Sequence, residues 1–183
     1  MSCEPVPARI VSRREIQVSP WVRVVSKEVE FAPARPPEVY HCMSQADYVA
    51  VLARTRSGLI PIVRQYRPAV EAYTLELPGG LLEKDESPEA ACRRELKEEA
   101  GLAAEAVTSL GSYYADTGRL ENRLFAFLAN TSVPNSEFRP EPGIEVRFFS
   151  YDDLRSLIAN GEFIHGLHLA VLTVHHLRLM RQD

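Results

Sequence analysis

Alternating hydrophobic and polar positions dominate the first half of the chain. A period of two is typical of strands that bury one face. It predicts strands at residues 16–18, 21–31, 38–43, 48–54, 59–66 and 73–77. Pro61 predicts an edge or a bulge in the fifth of these, because proline lacks the N–H that a central strand donates. We expect residues 1–12 to lack regular structure.

Residues that are typical of helix ends occur around the middle of the chain and after it. Ser87, Pro88 and Gly101 supply an N-cap, a first helical residue and a stop, which predicts a helix between them. Further elements are predicted as strands at 107–114, 123–129 and 145–150, a helix from Asp152 or Asp153 to near Gly161, and a helix over about 165–180. This order predicts an α+β fold with mixed sheets. We interpret residues 1–43 as an N-terminal β segment and 44–183 as the main domain.

The composition excludes several classes of partner. A hydrophobic fraction of 45% is enough for a packed core, and the net charge of −4 gives no general affinity for nucleic acid or anionic membranes. No apolar run is long enough to cross a bilayer, and MSCEPVPARI lacks a basic-then-apolar leader. Cys3, Cys42 and Cys92 are scattered and odd in number, as reduced thiols are. We therefore expect a cytoplasmic protein.

The first predicted helix concentrates acidic residues on one face. Glu95, Glu98 and Glu99 are three and four residues apart, so their carboxylates lie on the same side. Carboxylate oxygens at this spacing suit Mg²⁺ or Mn²⁺, whereas the helix taken alone favours a solvated charged surface, because such clusters are common on exposed helices. Gly79 and Gly80 favour a ligand site, because glycine lets the backbone turn tightly and approach a ligand closely.

The spacing around this helix resembles the Nudix box, GX5EX7REUXEEXGU, in which U is aliphatic. Gly80, Glu86, residues 94–96, residues 98–99 and residues 101–102 match every specified position. The resemblance implies a Nudix fold, with mixed β-sheets between helices (α/β/α) and an N-terminal β appendage. It also implies a cation-dependent hydrolase that cleaves a nucleoside diphosphate linked to another group.

The resemblance assigns roles within the box. It implies that Glu95, Glu98, Glu99 and the carbonyl of Gly79 bind Mg²⁺, with Mn²⁺ as the alternative ion. Arg94 joins Glu98 in the catalytic set, because it orients the glutamates through ion pairs. Bound cations neutralise a diphosphate and acidify a bound water, which is the chemistry such a hydrolase requires.

Segments outside the box resemble the ADP-ribose and ADP-sugar pyrophosphatase branch of the Nudix family. These segments are VRQYR, ELPGGL and the Trp-Val-basic stretch near the N-terminus. The branch implies a homodimer with exchanged N-terminal strands, in which Trp21 stacks on the base or anchors the appendage. Arg67 is then expected at the diphosphate or terminal ribose. Further substrate contacts are expected from Glu76, Gly80 and Glu121.

Two departures from the branch leave alternatives open. Thr117-Gly118 stands where the branch often has Pro-Gly, so GDP-mannose and UDP-sugars compete with ADP-ribose as the substrate. The branch activates water with a glutamate after the box, and Glu137, Glu141 and Glu145 are candidates here. We predict Glu141, because its Pro-rich loop suits a gating element, and keep Glu145 beside it.

Other functions compete with a sugar-nucleotide hydrolase. A non-catalytic ligand-sensing module is disfavoured because all three box glutamates are present. A nucleoside-triphosphate or cap hydrolase is disfavoured by the N-terminal segment and by RQYR. His165 and His168 are three residues apart, but we expect a plain helix start and helix face, because the sequence places no cysteine or acid beside them.

Overall fold

The computed structural model describes residues 8–33 and 35–181, and within them it contains ten strands and three helices. The strands are β1 (Arg9–Gln17), β2 (Arg23–Glu30), β3 (Glu38–Ser44), β4 (Tyr48–Thr55), β5 (Ile60–Arg67), β6 (Ala72–Glu76), β7 (Gly79–Leu81), β8 (Ala104–Tyr114), β9 (Arg123–Thr131) and β10 (Ile144–Phe149). The helices are α1 (Pro88–Ala100), α2 (Tyr151–Ala159) and α3 (Gly166–Leu179). The predicted α+β class is confirmed. Cys3 lies outside the described residues.

The chain up to Ala46, together with Tyr114–Asn122, forms one compact unit. Its described part contains an antiparallel sheet in the order β1-β2-β3. The 114–122 segment joins this sheet at Met43, whose N–H donates to the Arg119 carbonyl at 2.8 Å. The division of the chain at residue 43 stays a prediction.

Strand β1 corrects the expectation that residues 1–12 lack regular structure. It begins at Arg9 and pairs with β2 as far as Gln17. Every side chain of β1 is exposed, so the strand has no hydrophobic alternation for a sequence pattern to reveal. Backbone hydrogen bonds to β2 hold it instead.

Strand β4 is the centre of the second unit, which comprises Asp47–Tyr113 and Arg123–Asp183. It pairs in parallel with β9 and antiparallel with β7. Val49 and Val51 pack into a cluster with α1, and Ala50 and Leu52 pack into a second cluster with α2 and α3. Helices therefore cover both faces of the sheet, which explains why β4 is apolar on both sides.

The remaining sheet has the order β10-β5-β6. Pro61 lies opposite Phe148 of β10, whereas pairing with β6 begins at Val63. Pro61 therefore sits where β5 has one described partner strand, in agreement with the predicted edge position.

The caps of α1 are those predicted. The Ser87 hydroxyl accepts the Ala90 N–H, Pro88 is the first helical residue, and Gly101 ends the helix with a φ of 64°. Helix α2 starts at Tyr151, one or two residues earlier than expected, because Ser150 is its N-cap and Asp153 completes a capping box. Among the described helices, none is both long and apolar enough to span a bilayer.

Candidate active site

Arg94 organises the acidic face of α1. Its Nε and Nη2 donate to the two carboxylate oxygens of Glu86, each at 2.9 Å. Its Nη1 donates to Glu95 at 2.7 Å and to Glu98 at 3.0 Å. One guanidinium thus fixes the loop before α1 and offsets the repulsion between neighbouring carboxylates. These contacts raise the pKa of Arg94, with the Glu86 hydrogen bonds as the largest cause.

Glu95 is buried and Glu99 is half-buried, so both carboxylates are shielded from water. Burial raises the pKa of Glu99 to about 7, although the hydrogen bond from the Gly79 N–H at 2.9 Å opposes the shift. Burial also raises the pKa of Glu95, against the effect of Arg94. Glu98 is exposed beside them. A cation bound among these oxygens would favour the charged forms that burial disfavours, so the donor set fits a divalent metal ion.

Two glycines let the backbone approach this face of α1. A Cβ on Gly80 would lie closer than 3.0 Å to the Glu95 carboxylate, so the carboxylate occupies the space of the absent side chain. A Cβ on Gly79 would lie closer than 3.0 Å to the Val49 carbonyl oxygen of the neighbouring strand. The two glycines predicted to form a tight turn after Pro78 therefore lie in the short strand β7, which pairs with β4. The structure brings Gly79, Gly80, Glu95 and Glu99 together.

Arg67 and Glu76 form an ion pair in the same unit. Arg67 Nε and Nη2 donate to the two Glu76 oxygens at 2.7 and 2.5 Å, and the Thr74 hydroxyl donates to one of them. The Glu76 side chain is 1% exposed. Burial raises its pKa, but the hydrogen bonds from Arg67 and Thr74 outweigh burial, so the net shift is downward.

His165 and His168 lie beside Glu76, which corrects the expectation that no acid accompanies them. One ligand atom from each of the three residues falls within 4.8 Å of the others. The hydrogen bonds of His168 argue against a metal ion there. Its Nδ1 accepts the Leu77 N–H at 2.9 Å, and burial lowers its pKa to about 3, so the ring is neutral with its proton on Nε2. That N–H donates to the Tyr48 hydroxyl at 2.6 Å, which leaves no lone pair for a metal ion.

We expect Glu76→Gln to lower the free energy of unfolding by about 2 kcal/mol at pH 7, because it breaks a buried ion pair whose arginine is partly exposed. The folded-state pKa lies below the unfolded one. The ionised carboxylate therefore stabilises the fold above the unfolded pKa, and this contribution is lost as the pH falls through the folded pKa. Urea unfolding at pH 7 and pH 3 should show the difference between wild type and variant shrinking at the lower pH.

Glu105→Gln is the matched control for Glu76→Gln. Glu105 pairs with Arg56 on the surface, and such pairs contribute little. A Glu76→Gln difference from wild type that is equally large at both pH values would contradict the role of this carboxylate.

The candidates for the base form no described hydrogen bond or ion pair with the glutamates of α1. Glu145 pairs with Arg64 at 3.1 Å and with Arg147 at 3.0 Å. Glu141 and Glu137 are exposed in the segment before β10. Glu141 has no described side-chain partner at all, and the described partners of Glu145 are both arginines. Their assignment as catalytic residues stays a prediction.

Two predicted substrate residues belong to the first unit. Trp21 is 70% exposed and precedes β2, so within the described chain it anchors no core. Glu121 pairs with Lys27, and this contact lowers the pKa of Glu121. Their roles in substrate binding stay predictions.

Sequence reasoning missed the group formed by Tyr48, Glu76 and His168. Tyr48 and His168 are separated by 120 residues in the chain, so no local spacing could pair them. The signal in the sequence was Glu76 directly before the Leu-Pro-Gly-Gly segment, together with histidines on an otherwise apolar helix.

Comparisons with known proteins extend these observations. The model of the NUDIX domain family matches residues 43–169. Over 117 residues the chain is 34% identical to an ADP-ribose pyrophosphatase of Bacillus subtilis (strain 168), covering 62% of this chain and 63% of that protein. Over 71 residues it is 41% identical to an ADP-sugar pyrophosphatase of Mus musculus, covering 38% of this chain and 33% of that protein. The chain thus spans less than two thirds of either relative.

A crystal structure described as an ADP compounds hydrolase shares the fold. It matches with a TM-score of 0.79 at 22% identity, over 100% of this chain and 99% of that chain. This likeness confirms the predicted Nudix fold, and the family model covers more than half of the sequence, including the whole box. The chain belongs to the Nudix family.

Proposed function

We propose that the protein is a Mg²⁺-dependent hydrolase of nucleoside diphosphate sugars, with ADP-ribose as its first candidate substrate. Cleavage of the diphosphate would yield a nucleoside monophosphate and a sugar phosphate. The observation that carries this proposal is the acidic face of α1, where the buried Glu95 and the half-buried Glu99 lie against the Gly79-Gly80 backbone and have raised pKa values. The names of the Bacillus and mouse relatives support the substrate class.

The proposed cation ligands are Glu95, Glu98, Glu99 and the Gly79 carbonyl. Bound Mg²⁺, or Mn²⁺ in its place, would neutralise the diphosphate and acidify a water molecule. Arg94 holds Glu95 and Glu98 through Nη1 and anchors the preceding loop through Glu86. It therefore acts by positioning the ligands.

The attacking water needs a proton acceptor. We keep Glu141 as the first candidate, because its exposed position before β10 leaves it free to approach a substrate. Glu145 is the second candidate, and it would first have to leave its pairs with Arg64 and Arg147.

Each unit by itself contains proposed substrate contacts. Among the described contacts, Arg67 binds Glu76 through Nε and Nη2, which leaves Nη1 to donate to a diphosphate or ribose oxygen. Gly80 lets the backbone lie against the Glu95 carboxylate of α1, and we keep its backbone as a proposed substrate contact. Trp21 offers an exposed indole for stacking on a base, and Glu121 completes the proposed contacts.

The exposed apolar side chains of the β1-β2-β3 sheet support a homodimer. They include Ile10, Ile16, Val39 and Met43, and exposed apolar surface of this kind marks interaction sites. We propose that the segment 1–43 serves dimerisation and substrate contact beside the hydrolase domain 44–183. We further propose that the partner of the protein is a small nucleotide sugar and that the protein is cytoplasmic.

The test is hydrolysis of a substrate panel with Mg²⁺, comprising ADP-ribose, ADP-glucose, GDP-mannose, UDP-glucose, NADH and dGTP. Turnover of ADP-ribose to AMP and ribose 5-phosphate is the expected result. Preferred turnover of GDP-mannose or UDP-glucose would keep the chemistry and change the substrate. Binding without turnover of any compound would replace the hydrolase with a ligand-sensing module.

A further inference from the structure

The backbone that leads into the cation site is held at its start by a histidine of α3. Leu77 follows the last residue of β6, and its buried N–H donates to His168 Nδ1 at 2.9 Å. Two residues later, the Gly79 N–H donates to Glu99 at 2.9 Å. Between them, the Pro78 carbonyl accepts the Val51 N–H at 2.9 Å. Three hydrogen bonds in a row thus fix residues 77–79.

The ring of His168 is itself fixed from three sides. Its Nε2–H donates to the Tyr48 hydroxyl at 2.6 Å. The His165 ring stacks on it with a centroid distance of 3.8 Å and an interplanar angle of 17°. His168 is 0% exposed, so these contacts set one ring orientation in which Nδ1 points at the backbone.

A change at Leu77 is transmitted to Gly79 because few backbone rotations separate them. Proline fixes its own φ near −65°, so rotation about the ψ angles of Leu77 and Pro78 carries Gly79 with it. A buried N–H without an acceptor costs about 1–3 kcal/mol, so the chain would rotate to find another partner for Leu77. The Gly79 N–H would then no longer face Glu99.

We propose that His168 is a positioning residue for the cation site. By accepting the Leu77 N–H, it sets the orientation of Gly79 and so aims the Glu99 carboxylate into the acidic face of α1. The inference rests on the proposed function in one respect, namely that Glu99 binds the cation.

Two amide variants separate this role from general packing. His168→Asn places an oxygen near the position of Nδ1 and keeps an acceptor for Leu77. His168→Gln places its amide near the position of Nε2, where it reaches Tyr48 instead. Both variants are polar and both remove the imidazole ring, and each keeps one of its two hydrogen bonds: His168→Asn keeps that to Leu77, and His168→Gln keeps that to Tyr48.

Mn²⁺ binding to the 183-residue chain without nucleotide is the primary measurement, by electron paramagnetic resonance of free Mn²⁺. We expect Kd to rise about tenfold in His168→Gln, as for other residues that support metal ligands, and to stay within about threefold of wild type in His168→Asn. Thermal unfolding without metal shows whether both variants are folded. In hydrolysis, the Mn²⁺ concentration for half-maximal rate should rise in His168→Gln alone, with kcat restored at saturating Mn²⁺.

Equal Mn²⁺ affinities of the two variants would overturn the positioning role, as would the absence of Mn²⁺ binding by wild type. Absence of hydrolysis in the substrate panel, with Mn²⁺ binding retained and different between the variants, would overturn the proposed function alone. The two proposals therefore fail in distinguishable ways.

Discussion

Glu99→Gln should lower kcat/KM for ADP-ribose hydrolysis by about 10³-fold, the scale of loss when one preorganised charge-stabilising group is removed. The substitution removes a negative charge at the proposed cation site and changes little else. The amide oxygen of glutamine can still accept the Gly79 N–H that now binds the Glu99 carboxylate. The variant is therefore expected to unfold at a urea concentration close to that of wild type.

Glu89→Gln is the matched control on the same helix. Glu89 pairs with Arg93 four residues later, and its side chain is 58% exposed. An exposed pair of this kind contributes little to stability, so activity and unfolding should both match wild type. Glu99→Gln with more than a third of the wild-type rate would show that this carboxylate does not hold the essential cation.

Gly79→Ala should destabilise the fold by about 3 kcal/mol, the upper part of the range for overpacking a core. The new Cβ would meet the Val49 carbonyl oxygen, and backbone of a central strand cannot turn aside as a side chain can. Strand β7 would have to separate from β4, which also carries Gly79 away from Glu99. Equilibrium unfolding in urea measures the loss.

Gly166→Ala tests whether an added methyl group alone has this effect. Gly166 begins α3, and a Cβ there would meet no heavy atom within 4 Å. Alanine favours a helix over glycine, so unfolding should be unchanged or shifted to slightly higher urea. A loss below 1 kcal/mol in Gly79→Ala would mean that β4 and β7 adjust more easily than the packing indicates.

The sequence predicted those features that depend on near neighbours in the chain. The caps of α1 and the spacing of its glutamates depend on a few residues each, so Ser87, Gly101 and the acidic face of α1 were found correctly. Strand β1 was missed at its start because its side chains all face solvent and leave no pattern. The contact between Leu77 and His168 joins positions 91 residues apart, and no periodicity reports such a pair.

The sequence alone could not identify which of three glutamates is the general base, and the reason differs from that for the long-range contact. Glu137, Glu141 and Glu145 are all exposed, and exposed acidic residues near a loop satisfy the same sequence pattern whether or not they touch a substrate. Packing constrains buried positions, whereas solvent accepts a charge at any exposed one.

The parallel pairing of β4 with β9 has a consequence for biosynthesis. Tyr48 of β4 pairs with Leu124 of β9. Strand β4 therefore cannot form this pairing until the intervening glycine turn and acidic helix, and then β9 itself, have been synthesised. Parallel pairing across a long loop is slow, because the entropy of closing the loop is lost before the contacts form. We expect the nascent chain to assemble its proposed cation site late, after β9 has left the ribosome, with β4 exposed to chaperones until then.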